Sequence, residues 1–116
     1  MSNHVELLKR LYERFNARDI ETVLASLNED VLWANGMEGG YMRGREGVRR
    51  YWTRQWAMID PHVEPIGFST GPDEEVVVDV HQIVLDLTGH LLSDRQVGHR
   101  YRIEDGLITR FDIRTR

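Results

Sequence analysis

Two residues that often work as an acid/base pair, His99 and Asp112, lie on either side of an Asp105-Gly106 dipeptide. The runs that flank this dipeptide, VGHRYRIE and LITRFDIR, alternate apolar and polar side chains and predict the two strands of a hairpin. With a two-residue turn, Glu104 faces Leu107, and the pairing continues residue by residue along both strands. Five residues further from the turn, His99 faces Asp112. Directly opposed Cβ atoms lie roughly 4.5 to 5.5 Å apart, which is within reach of an imidazole–carboxylate hydrogen bond.

This geometry favours proton-transfer chemistry at His99. Asp112 would orient the imidazole and favour its cationic form, so that His99 could shuttle a proton near neutral pH. Tyr101 and Arg110 share the predicted face of His99, and Arg110 could hold an enolate or carboxylate oxygen. The alternative is a cross-strand ion pair on the outer or dimer face of the sheet. Polarity does not decide which face lies inside, because both faces are mixed.

A further Asp-His pair, Asp79 and His81, lies two residues apart in the stretch VVVDVHQIV and therefore shares one face of a predicted strand. Counting from a two-residue Thr-Gly turn places His99 opposite Val78. Asp79 and His81 then face away from His99 unless a bulge intervenes. They are interpreted either as polar groups of a pocket or as a surface pair.

Aromatic residues are frequent for a small domain, and four of them could form the walls of a binding site: Trp33, Tyr41, Trp52 and Trp56. Trp52 and Trp56 are one helical turn apart, which is equally typical of a helix that packs into the core. The stretch WANGMEGGY lies at the expected rim of such a site. Its glycines allow close backbone approach or a mobile lid, or they simply make a turn.

The first half of the chain shows helical periodicity. Residues 4–17 predict an amphipathic helix, with Asn3 and Glu6 at capping-box spacing. Asp19 is expected to cap a second helix through IETVLASL, and a third helix is expected from Arg45 to the Asp-Pro that precedes the stretch HVEPIGFST. VLWANG and YMRG predict a small hairpin between the second and third helices.

After Pro61 the pattern is that of four strands separated by turn residues: HVEPIGFST, EEVVVDVHQIVLDL, LLSDRQVGHRYRIE and LITRFDIR. A helical first half followed by an antiparallel meander predicts an α+β fold. Strands of this length must twist and coil, and a curved sheet that closes over helices makes a concave site for small molecules. We expect one domain over residues 1–116.

The composition, 41% hydrophobic and 29% charged, is that of a globular domain. A net charge of −4, a pI of about 5.7 and the absence of a basic stripe argue against nucleic-acid binding. Because the sequence has no cysteine, disulfides and thiolate sites are excluded. No stretch is apolar and long enough for a signal peptide or a membrane span, so a cytoplasmic location without a membrane partner is expected. No metal motif and no nucleotide fingerprint is present, and no cofactor is expected.

The chain resembles the SnoaL-like group of the nuclear transport factor 2-like superfamily in three stretches: LYERFNARDIETVLASLNEDVLW, GREGVRRYW and EDGLITRFDI. The resemblance covers about residues 5–114. It implies a cone-shaped curved antiparallel sheet packed on three N-terminal helices, a cystatin-like α+β barrel, with a pocket between sheet and helices and commonly a homodimer through the sheet. Members include ketosteroid isomerases, polyketide cyclases, dehydratases, epoxide hydrolases and proteins without catalysis, so the fold does not settle the function.

In SnoaL-like cyclases, a His on the penultimate long strand and an Asp on the final strand act as the acid/base group, and His99 and Asp112 are the matching positions. The ketosteroid isomerase pattern fits less well. Its tyrosine on the first helix could be Tyr12, but its base would fall near Trp33 or Asn35, and neither side chain can abstract a proton.

Two functions therefore stay open. The first is a cofactor-free isomerase, cyclase or dehydratase that uses His99 and Asp112 on an apolar ring-containing substrate, and the second is a non-catalytic module that binds a small apolar or aromatic ligand or forms dimers. The candidate substrate-binding residues are Arg110, Tyr101, Trp33, Tyr41, Trp52, Trp56, Tyr12, Asn35 and His81.

Overall fold

The computed structural model describes residues 3–36, 38–71 and 75–115. Within these ranges, three helices pack on a curved, unclosed six-stranded sheet, which confirms the expected α+β fold. In chain order the elements are α1 (Asn3–Asn16), α2 (Ile20–Leu24), β1 (Leu27–Ala34), β2 (Tyr41–Arg43), α3 (Gly44–Trp56), β3 (Ile59–Thr70), β4 (Val76–Asp86), β5 (Leu91–Glu104) and β6 (Leu107–Thr115). The strand order across the sheet is β2-β1-β6-β5-β4-β3.

Helix α1 buries its apolar stripe against the sheet, with Leu8 and Tyr12 fully inside. At its C-terminal end, the side-chain amide of Asn16 pairs with the backbone of Val63 on the edge strand β3. The amide donates to the Val63 carbonyl at 2.7 Å and accepts from the Val63 N–H at 3.0 Å. This pairing fixes the position of α1, and therefore of Tyr12, over the sheet. The expected side-chain cap at Asn3 lies outside the described side chains.

Helix α2 is shorter than predicted. Asp19 caps it as expected, since its carboxylate accepts from the Thr22 N–H at 3.3 Å. The helix ends at Leu24 because Leu27 already begins β1 and lies beside Ile108 of β6. Strands β1 and β6 run parallel, whereas the other neighbouring pairs in the described sheet are antiparallel.

The register of β4 against β5 is as predicted, although the turn between them is not. His99 lies opposite Val78, as expected. The connecting loop is longer than two residues and carries Gly89 at a φ of 95°. A bulge at Leu92 then offsets the longer loop and restores the predicted pairing.

The hairpin of β5 and β6 has the expected turn and an unexpected bulge. Asp105 and Gly106 have φ values of 52° and 78°, as a two-residue hairpin turn requires. The pairing next to the turn is the predicted one, but Arg102 then lies opposite Arg110, which leaves Thr109 as an extra residue in β6. The Thr109 hydroxyl donates to the Arg102 carbonyl at 3.2 Å within this bulge.

The core lies between the concave face of the sheet and the helices. Its largest fully buried side chains include Trp52, Tyr101, Leu8, Leu27 and Ile108. Of the helices in the described ranges, none is long and apolar enough to span a membrane.

Candidate ligand-binding site

The bulge at Thr109 divides the β5–β6 hairpin into an apolar inner face and a charged outer face. Beyond it, His99 lies opposite Ile113 and Asp112 lies opposite Arg100. The prediction that His99 faces Asp112 is therefore wrong, because one extra residue turns each later side chain of β6 to the other face. The charged residues of the two strands now share the outer face: Arg100, Arg102, Arg110, Asp112 and Arg114.

On the inner face, His99, Tyr12 and Tyr101 form a buried hydrogen-bonded relay. The Tyr101 hydroxyl donates to the Tyr12 hydroxyl at 2.8 Å, and the Tyr12 oxygen lies 2.8 Å from Nδ1 of His99. The neutral imidazole can pair with Tyr12 in either tautomer: Nδ1 accepts from the Tyr12 hydroxyl and Nε2 carries the proton, or Nδ1–H donates to the Tyr12 oxygen and Nε2 is an acceptor. Among the described residues, none hydrogen-bonds to Nε2 of His99, so that this nitrogen is available to a ligand.

Burial decides the protonation state of the relay. Desolvation lowers the pKa of His99 from 6.5 to about 3, so the imidazole is neutral at neutral pH. Burial also raises the pKa of Tyr12 and of Tyr101 above the usual 10.0, and both hydroxyls keep their protons. The expectation that Asp112 holds His99 in its cationic form is therefore wrong.

A cavity of about 250 Å³ opens beside the relay, between the sheet and the helices. Its walls come from α1, α3 and the sheet and include a group of aromatic side chains: Tyr12, Phe15, Trp33, Tyr51, Trp52, Tyr101 and Phe111. The Trp33 ring stacks on Phe111 at a centroid distance of 4.1 Å, and Trp52 meets Trp33 edge to face at 5.2 Å. The structure thus brings together five of the predicted site residues: Tyr12, Trp33, Trp52, His99 and Tyr101.

Four polar side chains that sequence reasoning did not single out also line the cavity: Gln55, Gln82, Ser93 and Arg95. Three of them could have been found from the predicted strand pattern. Ser93 and Arg95 alternate with His99 on the same face of β5. The β4–β5 register, which was predicted correctly, places Gln82 directly opposite Arg95.

Three predicted site residues lie together on the outer face of the sheet, away from the cavity. The Tyr41 hydroxyl and the Arg110 guanidinium both donate to the carboxylate of Asp112, the latter at 2.8 Å. The Arg110 guanidinium also lies over the Tyr41 ring at 5.2 Å. Partial burial opposes ionisation of Asp112, but the hydrogen bonds from Arg110 and Tyr41 outweigh it and hold the pKa below its usual value. The alternative of a cross-strand ion pair between His99 and Asp112 is therefore also wrong, because His99 lies on the inner face and Asp112 pairs with Arg110 of its own strand.

Three more predicted site residues, His81, Asn35 and Trp56, are not among the described residues that line the cavity. His81 contacts Asp94 at 2.7 Å on the face of the sheet opposite to His99. The Asn35 side chain accepts from the Glu38 N–H at 2.8 Å and supports the turn that precedes β2. The Trp56 ring stacks on the Trp52 ring of the same helix, at a centroid distance of 6.0 Å. In the described ranges, no group of three or more acidic or histidine side chains could hold a metal ion.

The sequence matches a family model described as the SnoaL-like domain over residues 8–111. The chain belongs to the SnoaL-like family. None of the curated proteins matches this SnoaL-like chain.

Solved structures share the fold of this SnoaL-like protein along its whole length. An NTF2-like protein of unknown function from Burkholderia pseudomallei is 28% identical, with a TM-score of 0.87 over 100% of this chain and 92% of that chain. TerC, co-crystallised with polyporic acid, is 26% identical, with a TM-score of 0.86 over 99% of this chain and 92% of that chain. A Mycobacterium tuberculosis protein in complex with estradiol-17β-hemisuccinate shares the fold at 19% identity, with a TM-score of 0.81 over 96% and 92% of the two chains.

Proposed function

We propose that this SnoaL-like protein binds a small, apolar, ring-containing molecule that carries a hydroxyl or carbonyl oxygen. The observation that carries the proposal is the relay of Tyr12, His99 and Tyr101 in the wall of an otherwise largely apolar cavity. Aromatic walls such as Trp33 and Phe111 favour flat apolar rings, and a few converging polar groups orient them. The Nε2–H of His99 would donate to the ligand oxygen.

The solved relatives support this class of ligand. TerC was co-crystallised with polyporic acid, and the mycobacterial protein with the same fold holds a steroid ester. Both are ring compounds with oxygen substituents, which is the chemistry that the cavity of this chain would accommodate.

Binding of 2-naphthol, followed by quenching of tryptophan fluorescence, tests the proposal. Trp33 and Trp52 line the cavity, so a ring in the cavity lies beside both reporters. Val84→Phe adds a ring to the cavity wall and should weaken binding at least about tenfold. The matched control is Leu85→Phe, the next residue of β4, whose side chain points to the other face and should leave binding unchanged. If 2-naphthol does not bind, or if Val84→Phe binds it as well as the wild type does, the cavity is not the site.

A second function, cofactor-free proton transfer, is favoured by the neutral imidazole in the cavity wall. In this role His99 would be the tautomer whose Nδ1–H donates to the Tyr12 oxygen, and its unprotonated Nε2 would take a proton from carbon beside a carbonyl group. The imidazolium formed in this step would then pair with the enolate. Since burial makes His99 a weak base, the rate would depend on holding the carbon and the imidazole within hydrogen-bonding reach. Asp112 has no part in this proposal.

Deuterium exchange into bound 2-tetralone, measured by NMR, tests the second function. His99→Gln should abolish protein-dependent exchange while 2-tetralone still binds, whereas His81→Gln on the opposite face should exchange at the wild-type rate. Equal exchange by wild type and His99→Gln would remove His99 as the base.

The expected homodimer and the cytoplasmic location stay predictions. For the dimer, the outer face of the sheet is the proposed interface, and it is strongly charged around Arg110 and Asp112. Sedimentation velocity of the wild type and of Arg110→Glu would test it, because a reversed charge at the interface should shift the sample toward monomer.

A further inference from the structure

We infer that the ligand carries an acidic group, such as a carboxylate, which pairs with Arg95 at the mouth of the cavity. This inference rests on the proposed ring-binding function and narrows the ligand class to an apolar ring compound with an anion at the end away from the relay. Nothing in the sequence motifs of the chain assigns a role to Arg95.

Arg95 lines the cavity and is otherwise exposed to solvent. Among the described residues it has no hydrogen-bond or ion-pair partner, and no Asp or Glu of those residues lines the cavity. Two arginines on the outer face differ in this respect: Arg102 donates to a carboxylate at 3.3 Å and Arg110 at 2.8 Å. The guanidinium of Arg95 is therefore free to bind an anion that arrives with a ligand.

The position of Arg95 sets the length of the ligand. Arg95 and His99 lie on the same face of β5, four residues apart, so their Cα atoms are separated by about 13 Å along the strand. The long Arg95 side chain covers part of this distance. A compound of two or three rings, with its oxygen on Nε2 of His99, would place an acidic substituent near the guanidinium. Gln82, directly opposite Arg95, and Ser93 add hydrogen-bonding groups at the same end.

The charge of the cavity wall favours an anion. His99 is neutral because burial lowers its pKa to about 3, and Tyr12 and Tyr101 stay protonated. Within the described lining, Arg95 thus carries the one full charge, in a chain whose net charge is −4. A guanidinium offers a planar pair of N–H donors that matches a carboxylate in two parallel hydrogen bonds.

A matched pair of ligands tests the inference: 6-hydroxy-2-naphthoate and its neutral methyl ester. Both have two fused rings and a hydroxyl group for the relay, and they differ in the charge at the far end. We expect the acid to bind the wild type roughly tenfold more tightly than the ester at low salt, and this preference to shrink at high salt. Arg95→Gln should bind acid and ester about equally, and Arg95→Lys should keep part of the preference because it keeps the charge.

The control variant is Arg102→Gln, which removes the same charge from the outer face of the same strand and should keep the wild-type preference. The inference is overturned if the wild type binds acid and ester equally, or if Arg95→Gln keeps the preference for the acid. In either case Arg95 does not pair with the acidic group of the ligand. In both cases binding of the ester leaves the proposed function standing. If the wild type binds neither the ester nor 2-naphthol, the proposed function itself fails.

Discussion

Mild acid should destabilise the folded protein through His99. Burial lowers the pKa of His99 from 6.5 to about 3. In the unfolded chain the imidazole takes up a proton as the pH falls through 6.5, whereas the folded protein keeps it neutral down to about pH 3. Between these values the unfolded state binds more protons, so the free energy of unfolding decreases as the pH falls.

The size of this effect follows from the shift. Each pKa unit corresponds to about 1.4 kcal/mol, so the full shift amounts to about 5 kcal/mol. Most carboxylates stay ionised between about pH 7 and about pH 5, and over that range His99 alone should account for a loss of about 2 kcal/mol. Urea unfolding at several pH values, followed by tryptophan fluorescence, measures the loss directly.

Two variants isolate the contribution of His99. His99→Gln keeps an acceptor for the Tyr12 hydroxyl and does not titrate, so its free energy of unfolding should fall by about 2 kcal/mol less than that of the wild type over the same range. His81→Gln, on the opposite face of the sheet, should follow the wild type. If wild type and His99→Gln lose equal stability between about pH 7 and about pH 5, His99 is not held neutral by burial in the folded protein.

Other variants test the relay, the turns and the outer face. Tyr12→Phe should lower the free energy of unfolding by about 1 to 3 kcal/mol, because both partners of its hydroxyl lose a hydrogen bond; an unchanged urea midpoint would contradict the relay. Gly44→Ala should cost about 1 to 2 kcal/mol, because Gly44 has a φ of 78° and a Cβ there would lie 3.2 Å from a backbone oxygen of β1. Gly47→Ala, inside α3, should instead be neutral or stabilise by up to about 1 kcal/mol. A melting temperature of Gly47→Ala below that of Gly44→Ala would refute both assignments. Asp112→Asn should leave 2-naphthol affinity within about twofold of wild type in fluorescence titration, since Asp112 contacts the outer-face cluster and not the cavity; a larger loss would place it at the site.

Much of the fold could be predicted from the sequence because it depends on short-range patterns. The apolar spacing around Leu8 and Tyr12 predicts α1, and the cap at Asp19 predicts the start of α2. The Asp105-Gly106 turn follows from the positive φ values that a two-residue hairpin needs. These features involve residues a few positions apart, so that local propensity is sufficient.

Counting residues from the Asp105-Gly106 turn does not predict the bulge at Thr109, although the sequence contains a signal for it. An unbulged hairpin would leave both faces of β5 and β6 with apolar and charged residues, and Phe111 would then share a face with Arg100 and Arg102. Where the two strands pair, one extra residue separates the two classes: Tyr101 and Phe111 turn inward, and Arg100, Arg102 and Arg110 turn outward. Mixed polarity on both faces of a predicted hairpin is thus an indication of a bulge.

By itself, the sequence determined most of the elements, the family and the choice of His99, Tyr101, Trp33 and Trp52 as candidate site residues, since these depend on local periodicity and on recognisable motifs. Only the tertiary structure decided what His99 contacts. Its partner is Tyr12, 87 residues earlier in the chain, and not Asp112. The physical reason is packing between distant segments, which sets the bulge, the position of α1 and the desolvation of the imidazole. The same packing leaves Arg95 as the charged group at the mouth of the cavity.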